Sequence, residues 1–312
     1  MPTVLVTGGA GFIGSNIAAE LLNRGYQVKV LDNLSTGHLK NLDLIKDKIK
    51  FIQGDINDFA LLEKELSGVD FILHQAALPS VPRSIESPLS SHFNNSTGLV
   101  NLLEAARHAG VKRVVCASSS SVYGNAPEKY KSENLPNVPL SPYAVAKMMG
   151  EHYCRVFSEL YGLETVSLRY FNVFGPHQDP QSDYAAVIPL FIKAILKDKQ
   201  PNIFGDGSQS RDFTYVQNNV EANILAMTST KVGRGEAINI ACGQSYTLLE
   251  LVENINKTLD KNIQPTFAPE RAGDIKHSLA DITKAKELLG YEPKIDFAAG
   301  IEKTIAWVKQ NV

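Results

Sequence analysis

Tyr143 and Lys147, four positions apart in Tyr143-Ala144-Val145-Ala146-Lys147, are the residues whose types and spacing speak most directly of chemistry. In a helix, side chains at i and i+4 stand on one face, so an ammonium can lie beside a phenol. A free phenol titrates near ~10 and is a poor proton acceptor at neutral pH. A neighbouring positive charge makes phenolate easier to form, each unit of depression contributing ~1.4 kcal/mol, and the pair becomes a base for a hydroxyl proton. Upstream, Ser118-Ser119-Ser120-Ser121 closes an apolar, β-branched run. One of its hydroxyls, Ser119 as first choice and Ser121 as second, can bridge a substrate oxygen and the phenol and share the moving proton. Alone, Tyr-x-x-x-Lys is also an ordinary exposed helix pair, and serines are ordinary turn formers.

A second cluster lies at the start of the chain. Val4-Leu5-Val6-Thr7-Gly8-Gly9-Ala10-Gly11-Phe12-Ile13-Gly14 places glycines between a strand and the opening of a helix. Glycines there let the backbone approach a pyrophosphate, whose charge meets the free N–H groups and positive dipole of the helix N-terminus. Two registers fit: Gly9-x-Gly11-x-x-Gly14, or Gly8-x-x-Gly11-x-x-Gly14 preceded by Thr7. Asp32 ends the second strand, where a carboxylate accepts from adenosine ribose hydroxyls and repels a 2′-phosphate, which points to NAD rather than NADP. Asp55 stands either at an adenine ring edge or in a plain Asx turn. Ala76-Ala77 offers small side chains where backbone must lie close to a cofactor.

These groups need elements to position them. Short β-branched runs alternate with helical stretches through the first two-thirds of the chain, which predicts an α/β fold: a doubly wound parallel sheet, Rossmann-like, with helices on both faces. Strands are expected near Thr3–Thr7, Gln27–Leu31, Lys50–Gln53, Phe71–His74, Arg113–Ala117 and Glu164–Arg169, and helices at Phe12–Arg24, Asn95–Ala109 and Pro142–Tyr161. After Asn172, Pro and Gly become frequent and the alternation is lost. The expected division is a cofactor domain of residues 1–172 plus roughly 214–240, helix Val216–Met227 included, and a smaller interleaved lobe of 173–213 and 241–312.

The 312 residues carry 31 basic and 33 acidic side chains, a formal charge of −2, which gives no case for nucleic acid or a membrane surface. Three well-separated cysteines, Cys116, Cys154 and Cys242, indicate neither a disulfide framework nor a metal knuckle. Met1-Pro2-Thr3 leads directly into a strand, and no segment approaches an apolar ~20-mer, so a protein of the reducing cytoplasm is expected.

Thr7-Gly8-x-x-Gly11-x-x-Gly14, the serine strand end and Tyr-x-x-x-Lys, in this order, resemble the extended short-chain dehydrogenase/reductase family nearly end to end. His74-Gln75-Ala76-Ala77, Asn95-Ser96-Thr97-Gly98, Ser141-Pro142-Tyr143, the run from Leu168 to Gly175 and the run from Gly205 to Phe213 narrow the resemblance to the UDP-sugar 4-epimerases. Ser80-Val81-Pro82-Arg83-Ser84 and His277-Ser278-Leu279-Ala280-Asp281 are most similar to bacterial 4-epimerases of UDP-N-acetylglucosamine or its uronic acid.

That resemblance implies an isomerase in which Tyr143 takes the C4 hydroxyl proton while hydride leaves C4 for a tightly held NAD. The 4-keto sugar turns over in the pocket and recovers both with inverted configuration. It further implies that Lys147 holds the nicotinamide ribose, that Asn95 orders the cofactor and serine loop, and that Phe12, Ile13, Asn33, Ile56 and Tyr170 join the cofactor site. Toward the substrate it implies Asn172 at the pyrophosphate, Arg211 and Arg271 forking onto phosphate oxygens, Asp274 at the uridine ribose, and Val187 along the pocket. Ser278 is small where epimerases restricted to UDP-glucose and UDP-galactose carry tyrosine, so a 2-N-acetyl group has room. Arg83 stands for a C6 carboxylate or is a loop residue; His277 is structural.

Related dehydratases carry Asp-Glu, and decarboxylases a glutamate, where this chain has Ser120-Ser121. A non-catalytic NAD-binding protein is the remaining alternative, against which Tyr143, Lys147 and Ser119 stand. A homodimer is implied through helices Asn95–Ala109 and Pro142–Tyr161, although the same apolar stripes can instead cover the sheet.

Overall fold

Runs such as Val4-Leu5-Val6 and Val114-Val115-Cys116 are apolar on both sides, and strands of that kind are stable only when both faces are covered. In the computed structural model, which describes residues 1–179, 186–270 and 276–311, they form one parallel sheet. Its first six strands are β1 (Thr3–Thr7), β2 (Gln27–Asp32), β3 (Lys50–Gln53), β4 (Phe71–His74), β5 (Arg113–Ser119) and β6 (Glu164–Tyr170). Short strands β7 (Val173–Phe174), β8 (Asn202–Phe204), β9 (Ser210–Arg211) and β10 (Thr214–Tyr215) precede β11 (Arg234–Ile240), which returns as the seventh strand. The order is β11-β6-β5-β4-β1-β2-β3. The chain therefore winds outward in opposite directions from β1 and β4, and the crevice outside their carboxyl ends is where open α/β sheets bind ligands.

Alternation along each strand sends neighbouring side chains to opposite faces. Val4 and Val6 enter an apolar layer with Ile17, Ala18 and Leu21 of helix α1 (Phe12–Asn23), whereas Leu5 enters the opposite layer with Leu62 of α2 (Phe59–Glu65). Next come α3 (Val81–Glu86), α4 (Pro88–His92), a π turn at Phe93–Thr97, α5 (Gly98–Ala109) and α6 (Pro142–Tyr161). The expected helix Asn95–Ala109 thus begins in a wider turn, with Gly98 so close to Ile56 that a Cβ there would lie 2.5 Å from its Cδ1. Leu99, Leu102, Leu103 and Ala106 of α5 are buried in the layer under the sheet, so that stripe covers the sheet. Exposed apolar side chains lie instead on the preceding segments, at Ile85, Leu89 and Phe93, and on α6, at Val145, Tyr153, Val156 and Leu160.

Beyond β6, helices α7 (Val187–Leu196), α8 (Val216–Thr228), α9 (Leu248–Leu259), α10 (Thr283–Leu289) and α11 (Phe297–Asn311) accompany small sheets. Strand β12 (Tyr246–Thr247) pairs antiparallel with β9, β14 (His277–Ser278) pairs parallel with β9, and β13 (Thr266–Ala268) pairs with β8. No helix among the described residues is long and apolar enough to cross a membrane.

Candidate active site

The glycine turn sits at the β1/β4 switch point. Gly8 adopts φ +66°, and a Cβ on it would meet the Ala76 nitrogen at 2.6 Å; one on Gly14 would meet the Gly8 oxygen at 2.2 Å. The Gly11 N–H donates to the same oxygen at 3.1 Å. Of the two registers, Gly8-x-x-Gly11-x-x-Gly14 therefore makes the tight turn, while Gly9 abuts Val30 with a would-be Cβ contact of 2.6 Å. Helix α1 begins at Gly11 with no side-chain cap, leaving the first-turn N–H groups to face the cleft.

A single cleft of about 600 Å³ is lined by Gly8, Gly11, Phe12, Ile13, Gly14, Asp32, Asn33, Asp55, Ile56, Ala76, Ala77, Arg83, Tyr143, Lys147 and Tyr170. Nearly every residue expected along the cofactor is thus brought together with the tyrosine and lysine. The cleft is of the size expected of a small-molecule site. A bare helix N-terminus, a backbone cradle that any Cβ would fill, and a carboxylate at the end of β2 fit a dinucleotide such as NAD.

Asp32 is buried, and its carboxylate accepts from the Ala10 and Leu34 N–H groups at 2.9 and 2.8 Å. It therefore braces the glycine turn as well as facing the cleft, with Gly37 packed against it so closely that a Cβ would lie 2.9 Å away. Nothing local in the sequence marks Gly37. Asn33 donates to Asp55 at 2.8 Å. Burial would push Asp55 up, but hydrogen bonds from the Asn57 backbone and the Asn33 and Asn57 side chains hold its carboxyl below its ordinary value. Asp55 is thus both an Asx-turn acceptor and a cleft residue.

Asn95, in the π turn, lies behind the cleft. Its Oδ1 accepts from the Leu78 N–H at 2.7 Å and its Nδ2 donates to the Leu78 oxygen at 3.0 Å. It orders the loop after β4, not the serine loop expected from sequence, because the wide turn aims it at that backbone. The Tyr170 hydroxyl donates to Gln75 at 3.2 Å and accepts from Asn223 at 2.7 Å. Gln75 belongs to the quoted His74-Gln75-Ala76-Ala77 segment but carries no assigned role there, and Asn223 has no signal in the sequence beyond polarity within a buried helix face.

Helix α6 is started by Ser141, whose Oγ accepts from the Ala144 N–H at 3.2 Å, with Pro142 at its first position. This cap sets Tyr143 on the first turn, facing the end of β5. The Ser119 hydroxyl lies near enough to the Tyr143 phenol to pull its titration down, and it accepts from the Ser121 N–H at 3.2 Å. Ser121 Oγ is buried without a partner among the described residues. Of the two serines, Ser119 is the one whose hydroxyl acts on the phenol's titration.

The expected depression of Tyr143 by Lys147 is not found. Burial raises the phenol, with the Ser119 hydrogen bond pulling the other way. Lys147 Nζ lies 5.8 Å from the centroid of the tyrosine ring and donates to the Ala117 carbonyl at 2.7 Å. Burial lowers Lys147 to about 8, partly offset by Cys116, Glu151 and Cys154. Behind it, His74 is brought down to about 3 by burial and by the Lys147 charge, and its Nδ1 meets Thr7 Oγ1 at 2.8 Å.

One turn beyond Lys147, Glu151 accepts from Ser118 at 2.5 Å and from Arg169 at 2.9 and 2.7 Å. Arg169 also donates to the Tyr123 hydroxyl at 2.8 Å, which in turn donates to Asn239 at 2.7 Å. This buried network fixes α6 on β5 and β6. The i+4 spacing of Glu151 from Lys147 was its only signal in the sequence.

Of the residues expected at the substrate, Arg83 and Tyr143 line this cleft and the other described ones are outside its lining. Asn172 is exposed just after β6 with φ +33°, and Val187 opens α7 half-buried. Arg211 and Ser278 are direct register partners on β9 and β14, so both side chains stand on one face of that small sheet. His277 accepts or donates at Ser210 Oγ, 3.0 Å away, in keeping with a structural part. Arg271 and Asp274 lie outside the described residues. Among described residues lining the cleft, the carboxylates are Asp32, Asp55 and Asp179, none on the serine turn beside Tyr143.

Residues 4–241 match the NAD dependent epimerase/dehydratase family. A putative UDP-glucose 4-epimerase of Methanocaldococcus jannaschii is 40% identical over 310 residues, covering 99% of both chains. Among solved structures, a UDP-N-acetylglucosamine 4-epimerase from Methanobrevibacter ruminantium M1 in complex with UDP-N-acetylmuramic acid superposes with a TM-score of 0.95 at 43% identity, covering 100% of this chain and 99% of that one. A UDP-glucose 4-epimerase of Thermus thermophilus in complex with NAD gives a TM-score of 0.90 at 37% identity, covering 99% of this chain and 100% of that one.

Proposed function

The chain belongs to the NAD dependent epimerase/dehydratase family, and from that premise we propose that it is an NAD-dependent UDP-sugar 4-epimerase whose substrates are UDP-N-acetylglucosamine and UDP-N-acetylgalactosamine, with the plain UDP-hexoses as further substrates. The observation that carries the reading is one cleft lined by the glycine turn, Asp32, Tyr143 and Lys147, with the Ser119 hydroxyl near enough to the phenol to influence its titration. When bound, NAD supplies the acceptor and donor of hydride at C4. Tyr143 accepts and later returns the proton of the C4 hydroxyl, and Ser119 shares it. Lys147, still largely charged at neutral pH, holds the ribose hydroxyls. The first-turn N–H groups of α1 receive the pyrophosphate, and Asp32 and Asp55 the adenosine end.

Arg211 is assigned to the UDP diphosphate and Ser278, small and buried beside it, to the space around the 2-substituent. The division into a cofactor domain of 1–172 and roughly 214–240, and a UDP-sugar lobe of 173–213 and 241–312, is part of the proposal. It is supported by β11 completing the large sheet while the later strands form small ones. The chain is further proposed to be a homodimer of the cytoplasm. The apolar side chains exposed on α3, α4 and α6 support a partner there, and the free cysteines suit a reducing compartment; light scattering tests the assembly.

One observation favours a second substrate class. Arg83 lines the cleft that holds Tyr143 and places a permanent positive charge there, which suits a UDP-N-acetylglucosaminuronic acid. Dehydration or decarboxylation is disfavoured because no carboxylate stands on the serine turn beside Tyr143. Incubating the protein with UDP-N-acetylglucosamine, UDP-glucose and their uronic acids, and resolving C4 epimers by NMR, tests all three readings. Failure of every UDP-hexose to epimerise, with no NAD released on denaturation, overturns the proposal.

A further inference from the structure

Strands β9 and β14 are two residues long, and such short pairings carry little register information of their own. What fixes them is Asp212, the residue after Arg211. Its side chain is fully buried, and its two oxygens accept from the Cys242 N–H at 3.0 Å, the Gly243 N–H at 3.0 Å and the Ala280 N–H at 3.3 Å. Its own N–H donates to the Ser278 carbonyl at 2.9 Å. Three segments distant in sequence therefore converge on one carboxyl group: the strand bearing Arg211, the turn after β11, and the strand bearing Ser278.

We propose that Asp212 is a positioning residue for UDP-sugar recognition, holding Arg211 and Ser278 in mutual register so that the diphosphate and the sugar 2-substituent are read as one unit. The inference rests on the assignment of those two residues to substrate made above. Asp212 is not among the residues that line the cofactor cleft. Its effect should therefore fall on substrate binding and leave NAD untouched. The titratable groups that sense its charge are the Cys242 thiol and the Tyr246 and Tyr291 phenols, so its compensation comes from backbone N–H groups. Burial pushes the carboxyl up to about 7 against the pull of those N–H groups.

The test compares wild type with Asp212→Asn, which keeps one acceptor oxygen, and Asp212→Ala, which keeps none. Losing charge-assisted hydrogen bonds of this kind should raise KM for UDP-N-acetylglucosamine, and Kd for UDP alone by calorimetry, by about tenfold in Asp212→Asn and more in Asp212→Ala. NAD released per chain should stay at the wild-type level and kcat should change less than KM. Unchanged KM and Kd in a folded, NAD-loaded Asp212→Asn, or kcat and NAD content falling together with KM, overturns the proposal.

If neither variant folds, hydrogen exchange on wild type decides. UDP should slow exchange at Cys242, Gly243 and Ala280, and no change there overturns it. Should wild type turn over no UDP-hexose yet bind UDP in an Asp212-dependent way, the reaction proposed above falls while the positioning part of Asp212 stands.

Discussion

The large sheet and the small sheets beyond β6 are held by different kinds of bond. In the first, seven parallel strands pair over four to seven residues, and these ladders carry the sheet on which the Glu151–Arg169 network seats α6. In the second, strands of two and three residues depend on side-chain ties: Asp212 gathers three N–H groups, while Asn218 of α8 and Asn239 of β11 reach out of the first region to Lys294 and Ile295 and to the Lys131 and Asp281 carbonyls. A ladder distributes the work over many residues, so one substitution seldom moves it. A side-chain tie concentrates it, so one substitution can move a whole segment. The region proposed to hold the constant cofactor is of the first kind, and the region proposed to choose among sugars is of the second.

The largest effect should come where chemistry sits on the rigid half. Tyr143→Phe is expected to lower kcat about 10³-fold, in the range of lost acid–base catalysis, while NAD content stays unchanged. A steady-state assay beside cofactor extraction checks both, and loss of NAD with activity would show that α6 is less firmly held than the ladder suggests.

Next is stability in that half. Glu151→Ala leaves Arg169 buried without its carboxylate partner, and breaking a buried pair costs about 3–5 kcal/mol. Urea unfolding should show the midpoint drop, and a small change would mean that Tyr123 and solvent take over the guanidinium. In the other half, Ser278→Tyr should cut kcat/KM on the N-acetylated pair about 10²-fold by filling the space beside Arg211, with UDP-galactose turnover largely kept. Equal loss on both sugars removes Ser278 as the selecting residue.

The smallest effect is a difference in acid response. His74 titrates at about 3 in the fold against 6.5 ordinarily, so its contribution is complete above pH 6.5 and is lost as pH falls toward 3, at about 1.4 kcal/mol per unit. Asp212 titrates at about 7 against 3.8, so the native state takes up its proton first, and stability rises as pH falls from 7 toward 3.8. The two slopes oppose each other between about pH 4 and 6.5. Unfolding free energies at about pH 5 and about pH 7.5 should therefore differ more in Asp212→Asn than in wild type; equal differences would mean that the halves do not compensate.

Much of the first half was legible because its signals are local. Strand and helix positions follow from short-range apolar period, and Ser141-Pro142 capping fixes Tyr143 at the start of α6. The end of β5 carried the serines, and only the tertiary structure brings Ser119 near enough to Tyr143 to affect the phenol. Glu151 and Arg169 were nearly invisible, since a buried ion pair has no periodic signature. The expectation for Lys147 was misjudged for a similar reason: spacing puts it on the face of Tyr143, but only packing shows that the Ala117 carbonyl holds its charge and that burial dominates the phenol.

The sequence by itself determined the alternating sheet, the glycine turn at its first crossover and the placing of Tyr143 and Lys147 on one helix, because each depends on residues within a turn or two of one another. Which glycine register is tight, that Asn95 serves the Leu78 loop, and that Arg211 and Ser278 are neighbours were decided only by the tertiary structure. These depend on contacts between segments far apart in the chain, whose strands are too short for any pattern to announce their pairing.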